Sequence, residues 1–158
     1  MKEVLLMNYE VVQLAKKTVA GSKIRTSNSD PNMIRDIGEL WHGFFANGIY
    51  ESIANKKNDK SIGLYTNYEV DLSGAYDLIT CCEIQKPSDL PIEIGEYTIP
   101  SGKYAKFTVR GDMQKAVGDF WMKLWSMDLD RKYSCDFEEY QSSDTEKDPE
   151  IHIYIALK

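Results

Sequence analysis

The alternation of hydrophobic and polar residues gives way to a helical period once in each half of the chain. In the first half, Gly21 and Ser22 are expected to break the first apolar strand. Asp30-Pro31 is typical of a helix start, because proline suits the first helical turn, and Gly48 is typical of a helix end. The pattern therefore predicts a strand, a helix and two strands, over residues 9–18, 33–47, 62–69 and 75–84, with Leu72-Ser73-Gly74 as the last turn.

The same order of elements returns in the second half, after a connector that contains Pro87 and Pro91. A strand pair with Pro100-Ser101-Gly102 as its turn precedes the second predicted helix. Two strands separated by a polar loop then follow. The predicted bounds are residues 94–109 for the pair, 113–127 for the helix, 134–141 and 151–157 for the strands, and 142–149 for the loop.

Sequence matches between the halves indicate an internal duplication. The halves share a helix motif, a following aromatic position and a strand motif: Gly38-Glu39-Leu40-Trp41 with Gly118-Asp119-Phe120-Trp121, Phe45 with Trp125, and Tyr65-Thr66-Asn67-Tyr68 with Phe137-Glu138-Glu139-Tyr140. We therefore predict an α+β fold of two β-α-β-β modules with pseudo-two-fold symmetry, antiparallel sheets and helices on one face. Residues 1–158 are predicted to form one domain, with repeat halves at about 1–86 and 92–158.

Alternation in the last two strands assigns their side chains to two faces. The aliphatic residues of the last strand share the face that should pack on the helices, and His152 and Tyr154 share the opposite face. If Phe137 also points toward the helices, Glu138 points away from them, on the same side as Tyr154. By the same alternation, Glu139 is expected to face the helices.

Two such outward faces would meet in a central cleft between the halves. The predicted ligand-binding residues are a carboxylate, aromatic rings and a few polar groups: Glu138, Tyr140, Tyr154, Tyr68, Thr66 and His152, with Trp41 and Trp121 able to reach the cleft from the helices. A carboxylate among rings suits a flat, partly apolar ligand with a positive charge, because the faces of the rings attract cations. A solvated strand face is the alternative reading of the same pattern, and core packing is the alternative role for both tryptophans.

Composition and charge limit the kinds of molecule that the chain is expected to bind. The chain has 25 acidic and 19 basic residues, a net charge of −6, and no basic stripe of the kind that nucleic-acid binding requires. We expect no membrane-spanning segment and a cytoplasmic location. The three cysteines Cys81, Cys82 and Cys135 are expected to be buried thiols, and neither His42 nor His152 has a partner at metal-ligand spacing. The sequence therefore predicts a site without metal or cofactor.

The chain resembles the GyrI-like small-molecule-binding domain, which is the effector-binding domain of bacterial AraC- and MerR-type transcription regulators. The resemblance covers nearly the whole chain and is carried by the two tryptophan-containing helices, one predicted hairpin and the last two strands: Leu40-Trp41, Phe120-Trp121, residues 99–105, residues 136–140 and residues 151–155. It implies a ligand cleft between two modules, with Glu138 as the acidic residue. Because no helix-turn-helix fits before Tyr9, we expect a stand-alone member that does not itself bind nucleic acid.

Three functions stay open for this cleft. The first is binding of an amphipathic, cationic or aromatic small molecule by a sensor, sequestering or multidrug-binding protein. The second is hydrolysis of a small electrophile, in which Glu138, with a pKa raised by burial, acts as general acid or base. The third, inhibition of a topoisomerase by protein binding, is implied by the resemblance alone. The sequence does not separate the first two functions, because both need the same carboxylate in the same cleft, and of the two we favour binding.

Overall fold

The computed structural model describes residues 9–70, 74–85, 94–111, 113–141 and 150–158. These residues contain eight strands and three helices: β1 (Glu10–Leu14), β2 (Lys17–Ser27), α1 (Met33–Ala46), α2 (Ile49–Ser52), β3 (Ser61–Thr66), β4 (Ala75–Glu83), β5 (Gly95–Ile99), β6 (Gly102–Arg110), α3 (Met113–Trp125), β7 (Arg131–Tyr140) and β8 (Glu150–Leu157). The predicted turn residues Leu72 and Ser73, the connector with Pro87 and Pro91, and the loop at 142–149 lie outside the described residues.

The predicted start and end of α1 are confirmed. The side chain of Asp30 accepts a hydrogen bond from the backbone N–H of Asn32 at 2.8 Å, which forms a local turn just before the helix. After the helix, Gly48 has a φ of +74°, a left-handed conformation that glycine adopts without the clash a Cβ would cause. Between these ends, Phe44 is fully buried against the sheet.

The eight strands form one antiparallel sheet in the order β1-β6-β8-β7-β3-β4-β2-β5. Exchanging β1 with β5, β2 with β6, β3 with β7 and β4 with β8 gives the same order in reverse. The α+β fold and its pseudo-two-fold symmetry are therefore confirmed, and the symmetry axis passes through the β3–β7 pair at the centre. Each module is β-β-α-β-β, and the first half has one strand more than its pattern predicts, because residues 9–18 are divided between β1 and β2.

The predicted break at Gly21 and Ser22 is wrong, since both residues lie inside β2. A Cβ at position 21 would lie 1.9 Å from the carbonyl oxygen of Thr80 and 2.6 Å from the Cα of Cys81 on β4. Glycine is therefore required here for a close approach between two strand backbones, and this role is compatible with continuous pairing.

The predicted hairpin at residues 94–109 is also wrong. β5 pairs with β2, in a register that places Ile99 opposite Lys17, whereas β6 pairs with β1 and β8. The two halves therefore exchange their first strands. Leu14 and Lys17 are three residues apart, about 11 Å at most, yet β1 and β2 lie six strands apart, or about 29 Å in a flat sheet. The sheet must therefore curl until its two ends approach each other.

Both faces of the sheet are buried, the inner face by the curl of the sheet and the other face by the helices. The inner face carries a core cluster that includes Leu64, Phe137 and Tyr154, while the helix face is covered by α1 and α3. The aliphatic residues of β8 pack under α3 as predicted. Phe137, however, stacks on Tyr154 at 4.6 Å on the inner face, so the prediction that it faces the helices is wrong. Glu138 consequently lies on the helix face and Glu139 on the inner face, the reverse of the predicted assignment.

Candidate functional site

The pairing registers place two residues on the pseudo-two-fold axis. β1 and β5 each have five residues and pair with the first five residues of β6 and β2 respectively. The registers can be followed inward from these ends, through the β2–β4 pair in one half and the β6–β8 pair in the other. They make Gly63 equivalent to Glu138 and Tyr65 equivalent to Tyr140. Gly63 and Glu138 are also direct partners across β3 and β7, so the axis runs between them.

The carboxylate on this axis is enclosed by three neutral hydrogen-bond donors. Tyr65 Oη donates to Glu138 Oε2 at 2.8 Å, and Trp121 Nε1 donates to the same oxygen at 2.8 Å. Tyr140 Oη donates to Oε1 at 2.7 Å. The two tyrosines come from equivalent positions in the two halves, and the glutamate is only 1% exposed. The repeat therefore builds a symmetric set of donors around a single acidic group.

Trp41 and Trp121 form the walls of the site, and each contacts the tyrosine of the other half. The Trp41 ring lies 5.2 Å from that of Tyr140, and the Trp121 ring lies 5.2 Å from that of Tyr65. The symmetry is broken at the indole N–H, since Trp121 bonds the carboxylate whereas the described contacts of Trp41 are packing contacts. Glycine at position 63 accommodates both neighbours, because a Cβ there would lie 3.0 Å from Glu138 Oε1 and 3.1 Å from Trp41 Cζ2.

Burial raises the pKa of Glu138, and the hydrogen bonds from Trp121, Tyr140 and Tyr65 offset only part of that rise. Within the described part of the chain, no lysine, arginine or histidine lies within ion-pair distance of this carboxylate. The pKa values of Tyr65 and Tyr140 are also raised, first by burial and then by the charge of Glu138. Both phenols therefore remain protonated donors at neutral pH.

Tyr68, one of the predicted site residues, belongs to a separate cluster around Asp136, which lies two residues before Glu138 on β7. Its hydroxyl donates to Asp136 Oδ2 at 2.5 Å. The same oxygen forms a buried salt bridge with Arg131 at 2.8 Å, and Oδ1 accepts the backbone N–H of Ala156 at 2.9 Å. This cluster closes the β-bulge between Arg131 and Asp136 and ties β7 to β8.

Three predicted site residues lie on the inner face, away from Glu138. Thr66 donates its hydroxyl to the backbone carbonyl of Ser134 at 2.9 Å, and Tyr154 stacks in the inner core. His152 is cross-strand partner of Glu139 on the same face. The prediction that Thr66, Tyr154 and His152 share a face with Glu138 is therefore wrong. The side chains of β7 alternate in the opposite sense to the predicted one, so Glu138 points toward the helices.

Tyr65 and Gly63 are the site residues that sequence reasoning missed. The predicted alignment of the two halves matches Tyr65 with Phe137, which lies 72 positions later in the chain. The pairing registers instead give an offset of 75 positions between the halves and match Tyr65 with Tyr140. A shift of the alignment by three residues brings the two tyrosines together, and this match is the sequence signal that could have identified Tyr65. Gly63 has no comparable signal, because its equivalence to Glu138 becomes visible only from the pairing registers of the strands.

The rim of the site is apolar and open to solvent. Phe45, one helical turn after Trp41, is 50% exposed, and Trp125, one turn after Trp121, is 46% exposed. Phe45 stacks on Trp41 with ring centroids 6.3 Å apart. These two rings occupy matching positions of α1 and α3, so an exposed aromatic side chain follows each site tryptophan by one helical turn.

The described residues include neither a metal-binding cluster nor a helix that could span a membrane. In that part of the chain, no group of three or more histidine, cysteine, aspartate or glutamate side chains is arranged to hold a metal ion. None of the described helices combines the length and apolar character needed to cross a bilayer. The three cysteines are buried free thiols.

Comparisons with known proteins agree with this architecture. The family of integron-associated effector-binding proteins, Cass2, matches residues 10–157. The YobU protein of Bacillus subtilis strain 168, named as a candidate transcriptional regulator, is 30% identical over 154 residues, which cover 94% of this chain and 96% of YobU. An integron cassette protein from the mobile metagenome of Vibrio cholerae is 33% identical, with a TM-score of 0.78 over 95% of each chain. SAV2435, solved with bound tetraphenylphosphonium, has the same fold, with a TM-score of 0.73 and 24% identity over 94% of each chain.

Proposed function

Because this chain belongs to the family of integron-associated effector-binding proteins, which bind small molecules, we propose that its own ligand is a lipophilic cation. The ligand's charge is paired with Glu138, and its apolar groups contact Trp41 and Trp121. The family match also confirms the predicted resemblance to GyrI-like effector-binding domains. One observation carries the proposal: a carboxylate that is 1% exposed is surrounded by neutral donors, with no cation from the described residues beside it.

The charge of Glu138 is the first argument. A buried carboxylate costs free energy unless hydrogen bonds and an opposite charge compensate for lost hydration. Three donors supply the hydrogen bonds here, but the raised pKa of Glu138 indicates that compensation is incomplete. A cationic ligand would supply the missing opposite charge in a site from which water is excluded.

The aromatic surroundings are the second argument. Tryptophan and tyrosine faces attract cations and also provide apolar contact area for a lipophilic body. Two tryptophans and two tyrosines surround Glu138, and exposed rings at Phe45 and Trp125 extend this surface outward. The ligand of SAV2435, a relative with the same fold, is a phosphonium cation that carries four phenyl groups, which is the chemistry proposed for this chain.

Access to Glu138 requires a side chain to move, because the carboxylate is enclosed. Trp121 is held by its hydrogen bond to Glu138, whereas Trp41 is held by contacts with rings such as Phe44 and Phe45. We therefore assign the movable wall to Trp41. Rotation of this one side chain would open the space above Gly63 without breaking a described hydrogen bond of the carboxylate.

Calorimetric titration with tetraphenylphosphonium tests the proposal. The wild-type protein is expected to bind, and Glu138→Gln should lose about 1–3 kcal/mol of binding free energy, or roughly tenfold to a hundredfold in affinity. Glu139→Gln is the matched control, because its side chain lies on the inner face of the same strand. Equal affinity in the wild type and both variants would overturn the assignment of Glu138, and absence of binding to the wild type would overturn the ligand class.

Hydrolysis of a small electrophile is a second candidate, favoured by the raised pKa of Glu138, since a general acid or base acts best with a pKa near the working pH. We place binding first, because the phenols beside this carboxylate are neutral donors at neutral pH and no second acid–base group adjoins it in the described residues. Glu138→Gln separates the two functions. A hydrolase variant would keep substrate binding and lose turnover, whereas a binding protein shows no turnover in either form.

A further inference from the structure

One buried hydroxyl near the site has no hydrogen-bond partner among the described residues. Thr80, in the middle of β4, is 0% exposed, and its Oγ1 neither donates nor accepts a hydrogen bond there. Buried hydroxyls are normally paired, because an unpaired one loses its hydration without compensation. The position of this hydroxyl therefore requires an explanation.

Thr80 lies in one row with the two residues on the symmetry axis. It is the cross-strand partner of Gly63, and Gly63 is the partner of Glu138. Directly paired residues share a face, so all three lie on the helix face. Adjacent strands are about 4.8 Å apart, which puts the backbones of Thr80 and Glu138 about 10 Å apart. Because Gly63 has no side chain, the space between the two polar groups contains no side chain from β3.

The equivalent residue of the second half has no hydroxyl. Ile153 pairs with Glu138 as Thr80 pairs with Gly63, and it packs in the aliphatic core under α3. The fold therefore accepts a purely apolar side chain at this position. The repeat itself therefore does not demand a hydroxyl here, and the hydroxyl is a feature of the first half alone.

The two oxygens of Glu138 are unequally occupied. Oε2 accepts hydrogen bonds from both Tyr65 and Trp121, while Oε1 accepts one, from Tyr140. Oε1 is also the oxygen above Gly63, on the side of Thr80. A carboxylate oxygen can accept two hydrogen bonds, so Oε1 keeps the capacity to accept one more.

We propose that Thr80 is a ligand-contacting residue, and that the site prefers a lipophilic ammonium group with N–H donors to a quaternary cation. One N–H donates to Glu138 Oε1 and another to Thr80 Oγ1. The head group occupies the space above Gly63 from which the Trp41 ring moves. This inference rests on the proposed binding of lipophilic cations and adds the chemistry of the head group.

A matched pair of ligands tests the inference: protonated 4-phenylbutylamine and its N,N,N-trimethyl derivative, which keeps the charge and the ring but has no N–H. Calorimetry on the wild type should show tighter binding of the primary amine. Thr80→Val keeps the shape and removes the hydroxyl, and should weaken amine binding roughly tenfold while changing trimethyl binding less than about twofold. Thr80→Ser should keep the preference for the amine.

The possible outcomes separate this inference from the proposed function. If Thr80→Val changes the affinity for both ligands equally, or for neither, the role of Thr80 is wrong even though the cation site stands. If the wild type binds tetraphenylphosphonium but not the amine, the head-group preference is overturned. Urea unfolding of Thr80→Val should match or exceed the wild type, and Thr80→Ala provides a second hydroxyl-free variant for the same comparison.

Discussion

Two buried carboxylates lie two residues apart on β7, on the same face of the sheet, and their surroundings differ in one respect. Asp136 is 0% exposed and has a cationic partner, Arg131, at 2.8 Å. Glu138 is 1% exposed and has three neutral donors but no cation from the described residues. Both accept three described hydrogen bonds, so hydrogen bonding alone does not distinguish them.

The difference separates a carboxylate that is compensated within the chain from one that we propose binds a ligand. Asp136 is compensated from within the chain and connects the β-bulge to the neighbouring strand through Ala156. Glu138 stands on the symmetry axis, where both halves contribute a tyrosine to it. A buried charge that lacks an internal partner is available to an external one, and this supports the proposal that Glu138 is the counter-charge of a cationic ligand.

The largest expected effect concerns the structural pair. Arg131→Met removes the cation and leaves Asp136 as an uncompensated buried charge, so we expect a loss of about 3–5 kcal/mol in the free energy of unfolding. Urea denaturation at neutral pH measures this loss. The double variant with Asp136→Asn should recover much of the stability, because it removes the unpaired charge. A loss below about 1 kcal/mol in the single variant would contradict the assigned role of this pair.

A smaller effect should distinguish the two tryptophans of the functional site. Trp121→Phe removes the donor to Glu138 Oε2, and hydrogen bonds to charged groups are worth about 1.5–3 kcal/mol. Trp41→Phe removes ring contacts but none of the described hydrogen bonds of the carboxylate. We therefore expect Trp121→Phe to destabilise the protein by about 1–2 kcal/mol more than Trp41→Phe in urea unfolding. The reverse order would contradict the assignment of Trp41 as the movable wall.

The smallest effect is a pH dependence that only Glu138 should produce. Since burial raises its pKa above the ordinary value of 4.5, the folded protein binds this proton more tightly than the unfolded chain does. The resulting stabilisation is fully present below the unfolded pKa and is lost as the pH rises through the folded pKa. Relative to Glu138→Gln, the wild type should lose on the order of 1 kcal/mol over this range. A difference that grows with rising pH would show that the pKa is lowered.

The elements of the fold could be predicted because local signals specify them. Asp30-Pro31 and Gly48 delimit α1, and the aliphatic residues of β8 pack under α3 as their alternation indicates. Strand pairing could not be predicted, because β5 and β6 are adjacent in sequence but do not pair with each other: β5 pairs with β2 and β6 with β1, both from the first half. A turn such as Pro100-Ser101-Gly102 marks where the chain changes direction, without indicating which strands pair on either side of it.

The residues of the candidate site were predicted in part, and the errors in their placement on the two faces have one cause. Glu138, Tyr140, Trp41 and Trp121 are brought together, but the faces of β7 were assigned the wrong way round. Alternation places Phe137 on the helix face only if a single face of the strand is buried. In the curled sheet, both faces of β7 are buried, so a large apolar residue no longer identifies the face that meets the helices.

The most direct test of the central claim is the titration of Glu138 itself, followed by carbon-13 NMR of its side-chain carboxyl in the free protein and in the presence of saturating tetraphenylphosphonium. In the free protein the midpoint should lie above the ordinary value of 4.5, with Glu138→Gln identifying the resonance. In the complex the midpoint should fall, because a bound cation favours the ionised carboxylate, and affinity should weaken as the pH drops through the free midpoint. A complex that forms while the midpoint stays unchanged would contradict the claim that this carboxylate pairs with the ligand.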